Sequence, residues 1–114
     1  MLPPVEEAWC SYLEASTFVS YPPKDGDIRV TVIDSIRSNR VTWRYTILLE
    51  LWANPHDSEN DAIALHKKAQ EIDSLSGLPA YITAVEADGP KANPDPDSEL
   101  DRYQFLVSHN VRTI

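Results

Sequence analysis

The residues best suited to chemistry are three histidines, two acidic runs and one thiol. His56, His66 and His109 lie far apart, and none forms the H-x-x-x-H spacing that sets two imidazoles on one helix face, so a zinc site has no support. The segment HDSEND places Asp57, Glu59 and Asp61 where a helix should begin. DPDSELD places Asp95, Asp97, Glu99 and Asp101 two apart, like the opening ligands of a calcium loop. That loop does not continue: its required glycine is replaced by Leu100 and its closing glutamate by Leu106. Helix capping and a solvated acidic loop are the plainer readings. Cys10 is alone, so no intrachain disulfide forms, and a small core residue is the ordinary role for it. With only Gly26, Gly77 and Gly89, the chain has no phosphate-binding glycine loop and no nucleophile elbow. The sequence thus marks no catalytic residue, metal or cofactor, and the expectation is a protein that is not an enzyme.

A length of 114 residues fits a single domain over 1–114, with 42% hydrophobic and 25% charged residues. No apolar run reaches the roughly 18 residues a membrane span needs, and no secretory signal is visible, so a soluble protein folding in a reducing cytoplasm is expected. The formal charge is −8, from 18 acids against 10 bases, which opposes gripping nucleic acid. Like charge along a passage instead lets DNA pass without adhesion.

The elements that position these residues are ordered around VTWRYTILLELW, residues 41 to 52. Val41, Trp43, Tyr45, Ile47, Leu49 and Leu51 alternate with Thr42, Arg44, Thr46 and Glu50, the period of a central strand with one buried face. Before it, Pro3 to Ser16 reads as a helix with Val5, Ala8, Trp9, Tyr12 and Leu13 on one face, and Ile28 to Asp34 reads as a strand. SIRSNR, residues 35 to 40, links two antiparallel neighbours. A second helix capped by Asp57 or Ser58 runs to about Leu75 with Ala62, Leu65, Ala69, Ile72 and Leu75 as its stripe, and Gly77 and Pro79 stop it. Strands follow over Ala80 to Asp88 and Arg102 to Arg112, separated by a segment too proline-rich for regular structure. The expected fold is α+β: a two-layer sandwich in the order helix-strand-strand-helix-strand-strand, with a mostly antiparallel four-stranded sheet and two helices on one face.

Two features bear on function. Leu48 and Trp52 fall on the nominally polar side of the central strand, and with Leu106 and Ile33 they should project opposite the helices, where either a loop of the same chain or another protein would cover them. Charge is also segregated. Lys24, Arg29, Arg37, Arg40 and Arg44 dominate residues 24 to 44, whereas Glu86, Asp88, Asp95, Asp97, Glu99 and Asp101 dominate residues 86 to 101. On opposite flanks, such patches would let copies meet head to tail; the alternative is two solvated loops.

The succession LLELWANPHDS, a helix with A-x-x-L-x-x-x-A (Ala62, Leu65, Ala69), a strand leading to Pro94-Asp95-Pro96, and then RYQFLVSHNVR resembles the tail terminator proteins of long-tailed, siphovirus-type bacteriophages. The likeness spans about Arg29 to Arg112 and rests on order and spacing. It implies a structural virion protein, made in the host bacterial cytoplasm, that forms a hexameric ring at the head-proximal end of the tail tube. There it would stop polymerisation of the major tail tube protein and face the head connector or stopper protein, while genome DNA passes through without sequence-specific binding. The interface candidates are Arg37, Arg40, Arg44, Leu48, Trp52, Asp95, Asp97, Glu99 and Leu106, chosen on charge and expected exposure. A head-completion or neck protein of the virion is the alternative, and a small α+β ligand-binding domain a third.

Overall fold

The alternating stretch becomes β2, Thr42–Ala53, in the computed structural model, which describes residues 5–71 and 81–112. The order is α1 (Val5–Leu13), β1 (Ile28–Arg37), β2, α2 (Ser58–Gln70), β3 (Tyr81–Ala87), β4 (Lys91–Ala92) and β5 (Asp101–Arg112). Strands lie in the order β1-β2-β5-β3, with β4 also against β5, and all four pairings are antiparallel. The protein is therefore α+β with two helices, but its sheet has five strands where four were expected. Pro90 and Pro94 flank Lys91 and Ala92 without occupying the pairing, so two residues of the supposedly irregular segment pair with Gln104 and Tyr103. The expected helix start at Pro3, the stripe residues Ile72 and Leu75, the stop at Gly77 and Pro79 and the strand start at Ala80 lie outside the described residues. Among the described residues, no helix is long and apolar enough to cross a membrane.

Odd positions of β2 face the core. Tyr45, Ile47, Leu49 and Leu51 form one buried cluster with Val30, Phe105, Val107 and Val111 of the sheet, Val5, Ala8, Trp9 and Leu13 of α1, and Ala62, Leu65 and Ala69 of α2. Both helices touch odd positions of β5: Trp9 Nε1 donates to His109 Nε2 at 2.9 Å, and the His66 ring meets Phe105 edge-on at 5.3 Å. Each large apolar side chain buried here contributes about 1.5–3 kcal/mol. That burial holds helices too short to persist alone in water.

Local chemistry explains where the helices differ from expectation. The first ends at Leu13 rather than Ser16, because Glu14 takes φ 55° and the Ala15 amide reaches back to the Cys10 carbonyl at 2.9 Å. This is a Schellman closure with glutamate where glycine is favoured. Ser16 then pairs with the edge of β1, its amide bonding Ile28 O and its carbonyl receiving Val30 N. Asp57 stands at the start of α2 but makes no side-chain cap, and Ser58 Oγ instead donates to Asp101 Oδ2 at 2.7 Å. The helix start is thereby tied to the start of β5.

His109 is 0% exposed and sits between the rings of Trp9 and Tyr45. Because Nε2 accepts from Trp9, the neutral ring carries its proton on Nδ1, which meets no hydrogen-bond partner among the described residues. Burial pushes its pKa down to about 4 from the ordinary 6.5. The unfolded chain binds this proton more readily, so stability is full above pH 6.5 and declines as pH falls toward 4. Between pH 7 and 4.5 the loss should be about 2–3 kcal/mol. Urea unfolding at a series of pH values checks this: the midpoint should fall across that window in the parent and stay flatter in His109→Gln.

Candidate functional site

The face of the sheet opposite His109 is divided into a covered end and an open end. At the covered end Trp52 is 0% exposed. Its indole Nε1 donates to Asp95 Oδ2 at 3.1 Å, and the guanidinium carbons of Arg29 and Arg102 lie 5.2 and 5.8 Å from its ring centre. Glu50 is buried next to it, paired with Arg29 at 2.7 Å and with Arg102 at 3.9 Å. Antiparallel register makes this possible by setting Arg29 against Glu50 and Trp52 against Arg102. A buried carboxylate is tolerated only with such partners, and two arginines supply them.

Two loops close over this cluster. Tyr21 Oη donates to Asp95 Oδ2 at 3.1 Å and the Asp97 amide donates to Asp95 Oδ1 at 3.0 Å. Arg102 Nε donates to the Asn93 carbonyl at 2.9 Å, and Asn93 Nδ2 to Gln104 Oε1 at 2.6 Å. The bonds from Trp52 and then Asp97 hold the Asp95 carboxyl below its usual range. Its contribution is present above the unfolded pKa and is lost as pH falls through the lowered folded value.

This corrects two of the expected surface residues. Trp52 and Asp95 are buried in contacts within the chain, because loops 18–27 and 93–100 fold over that end of the sheet. The remaining apolar pair is small: Leu48 and Leu106 face each other across β2 and β5, Leu48 half-buried and Leu106 39% exposed. Asp97 and Glu99 are exposed on the acidic loop. Arg37 and Arg40 are exposed at the β1–β2 turn, where Arg37 Nε and Nη2 donate to the carbonyls of Asn39 and Arg40. Arg44 is committed within the sheet, 3.4 Å from Glu86 and 3.2 Å from Asn110 Oδ1. Arg29, Glu50, Tyr21 and Arg102 were not singled out beforehand as one cluster. Their only trace in the sequence is a tryptophan and a glutamate sharing the polar side of the central strand.

Only part of each charged region separates to opposite ends of the molecule: Lys24 and Arg29 lie at the Trp52 end and Glu86 pairs with Arg44, whereas Arg37 and Arg40 lie far from Asp97 and Glu99. β2 and β5 pair from Thr42↔Arg112 to Ala53↔Asp101, and twelve residues of strand reach roughly 36 Å. The turn bearing Arg37 and Arg40 is at the Thr42 end, and the acidic loop enters β5 at the other, along a body 45 Å long and 22–23 Å across.

The groups that opened the sequence reading do not converge. His56 is exposed, His66 lies against the Ala87 carbonyl and Phe105, and His109 is in the core. The Cys10 thiol is pushed up by burial and by Glu6, which disfavours the reactive thiolate. Among the described residues, no group of three or more His, Cys, Asp or Glu could hold a metal ion. No protein-family model matches the chain, and a search of curated proteins finds no match.

Trp52→Phe keeps a ring over the sheet and removes the bond to Asp95, which should cost about 1–3 kcal/mol. Glu99→Ala on the same loop's surface should stay within about 0.5 kcal/mol. Urea unfolding measures both, and limited proteolysis should cut the 93–100 loop faster in Trp52→Phe.

Proposed function

We propose that this chain is a non-enzymatic structural protein of a phage virion, a two-layer sandwich with both helices on one face of the sheet. In this reading it is the ring subunit, six to a ring, that ends the tail tube at its head-proximal side and joins the tail to the head connector. The observation that carries the proposal is the charge polarity along the long axis, with Arg37 and Arg40 at one end and Asp97 and Glu99 at the other. Opposite charges at opposite ends favour a heterologous contact between identical copies, and such contacts close into a ring when the rotation between copies completes a circle. The resemblance in element order to tail terminators gives the ring its place. The −8 balance suits an opening through which DNA slides without being held.

Negative-stain imaging of the purified chain with tail-tube subunits tests this. Rings on one end of tubes of limited length are expected. Tubes that keep growing and carry no added density would remove the proposal, and association with heads but not tails would assign the chain to the neck instead.

A further inference from the structure

Beside the acidic loop lies a groove of about 440 Å³ that the buried cluster does not use. Pro22, the buried Pro23 and the half-buried Leu100 give it an apolar lining, and the exposed Asp25, Asp97 and Glu99 give it negative charge. At the far end of the molecule the β1–β2 turn has the complementary pattern. Ile36 is 58% and Val41 46% exposed, and Arg37 and Arg40 flank the turn between them. Apolar groups held in water on a projecting tip, ringed by charge, are the composition of a contact surface.

We infer that the β1–β2 tip of one copy seats in the Pro22–Leu100 groove of the next. Ile36 and Val41 enter the apolar lining while Arg37 and Arg40 meet Asp25, Asp97 and Glu99. The inference rests on the reading of the chain as a self-assembling ring subunit and names the two surfaces that join. A second copy is the occupant because each surface supplies what the other lacks, in charge and in apolar lining. Their positions at opposite ends leave every copy with one of each, so the contact is head to tail. Arg44 is not part of it, since Glu86 and Asn110 engage that side chain within the sheet.

Charge exchange between the two surfaces tests the contact. Arg37→Glu with Arg40→Glu should weaken self-association on the order of a hundredfold, and Asp97→Lys with Glu99→Lys should do the same. The tip of each variant, altered or parental, matches only the other variant's groove, so an equimolar mixture should recover the parent's mass in sedimentation at low salt, and added salt should weaken it again. Far-UV circular dichroism should match the parent for both. Arg40→Glu alone, which leaves the Arg37 bonds to the turn in place, should weaken association in the same direction. A monomeric parent at low salt, unchanged assembly of either double variant, or a mixture that stays monomeric would overturn the inference. Assembly that follows these rules while tail tubes stay uncapped would keep the contact and overturn the functional proposal alone.

Discussion

The in-register pairing of β2 with β5 sets everything else in the molecule. Twelve residues of each strand pair without a bulge, so the odd face is committed to the core and the even face to the outside along the full length. A one-residue slip of β2 would turn Ile47, Leu49 and Leu51 outward and bring Glu50 and Thr46 against the helices, a loss of several buried side chains at about 1.5–3 kcal/mol each. Register is thus fixed by the apolar stripe. The separation of the basic turn from the acidic loop follows from the same ladder.

The outer face is managed differently along its length. Near Trp52 the chain covers itself, using Asp95 as an acceptor for Tyr21 and Trp52 and the two arginines as a cationic layer against the indole and Glu50. The even-position tryptophan thus adds a side-chain clamp to loops already tied to the sheet by backbone bonds at Trp52 and Arg102. Toward the middle, Leu48 and Leu106 are flanked by Thr31, Thr46 and Ser108, and this polar surround leaves only a narrow apolar strip. Beyond it on the sheet, Ile33 and Ile36 of β1 are also exposed and draw attention from the sheet's face to its edge.

Much of the frame was legible in the sequence, since alternation and helical spacing depend only on near neighbours. The odd positions of β2 from Tyr45 to Leu51, the stripe Ala62, Leu65 and Ala69, and the odd positions of the last strand lie where their patterns put them, whereas Val41, placed on the buried face, is outside the strand and 46% exposed. What escaped depends on contacts between distant segments. Trp52 meets Asp95 forty-three positions away, and Arg44 meets Glu86 only because β5 lies between their strands. The positive φ at Glu14 escaped for another reason: the side chain gives no hint of it, and only the closing bond from Ala15 to Cys10 reveals the turn. Charge segregation was visible, but which arginines remain on the surface required the register.

The edge of β1 explains why association would fall to side chains at the ends instead of to strand addition along the sheet. An unpaired edge invites another chain to extend the ladder. Here Ser16 occupies the first part of that edge with backbone bonds at Ile28 and Val30. Past it, the shift of register between Val32 and Asp34 leaves Ile33 unpaired as a bulge. A bulge bends and twists the strand, so a straight partner cannot follow it, and Asp34 and Arg37 add charge over the remaining stretch. Strand addition is thereby disfavoured on one side of the sheet. Past the bulge, Ile36 and Val41 at the β1–β2 turn stay exposed. A chain protected from indiscriminate edge pairing and still presenting an apolar, basic tip has its self-contact narrowed to a surface that discriminates by shape and charge.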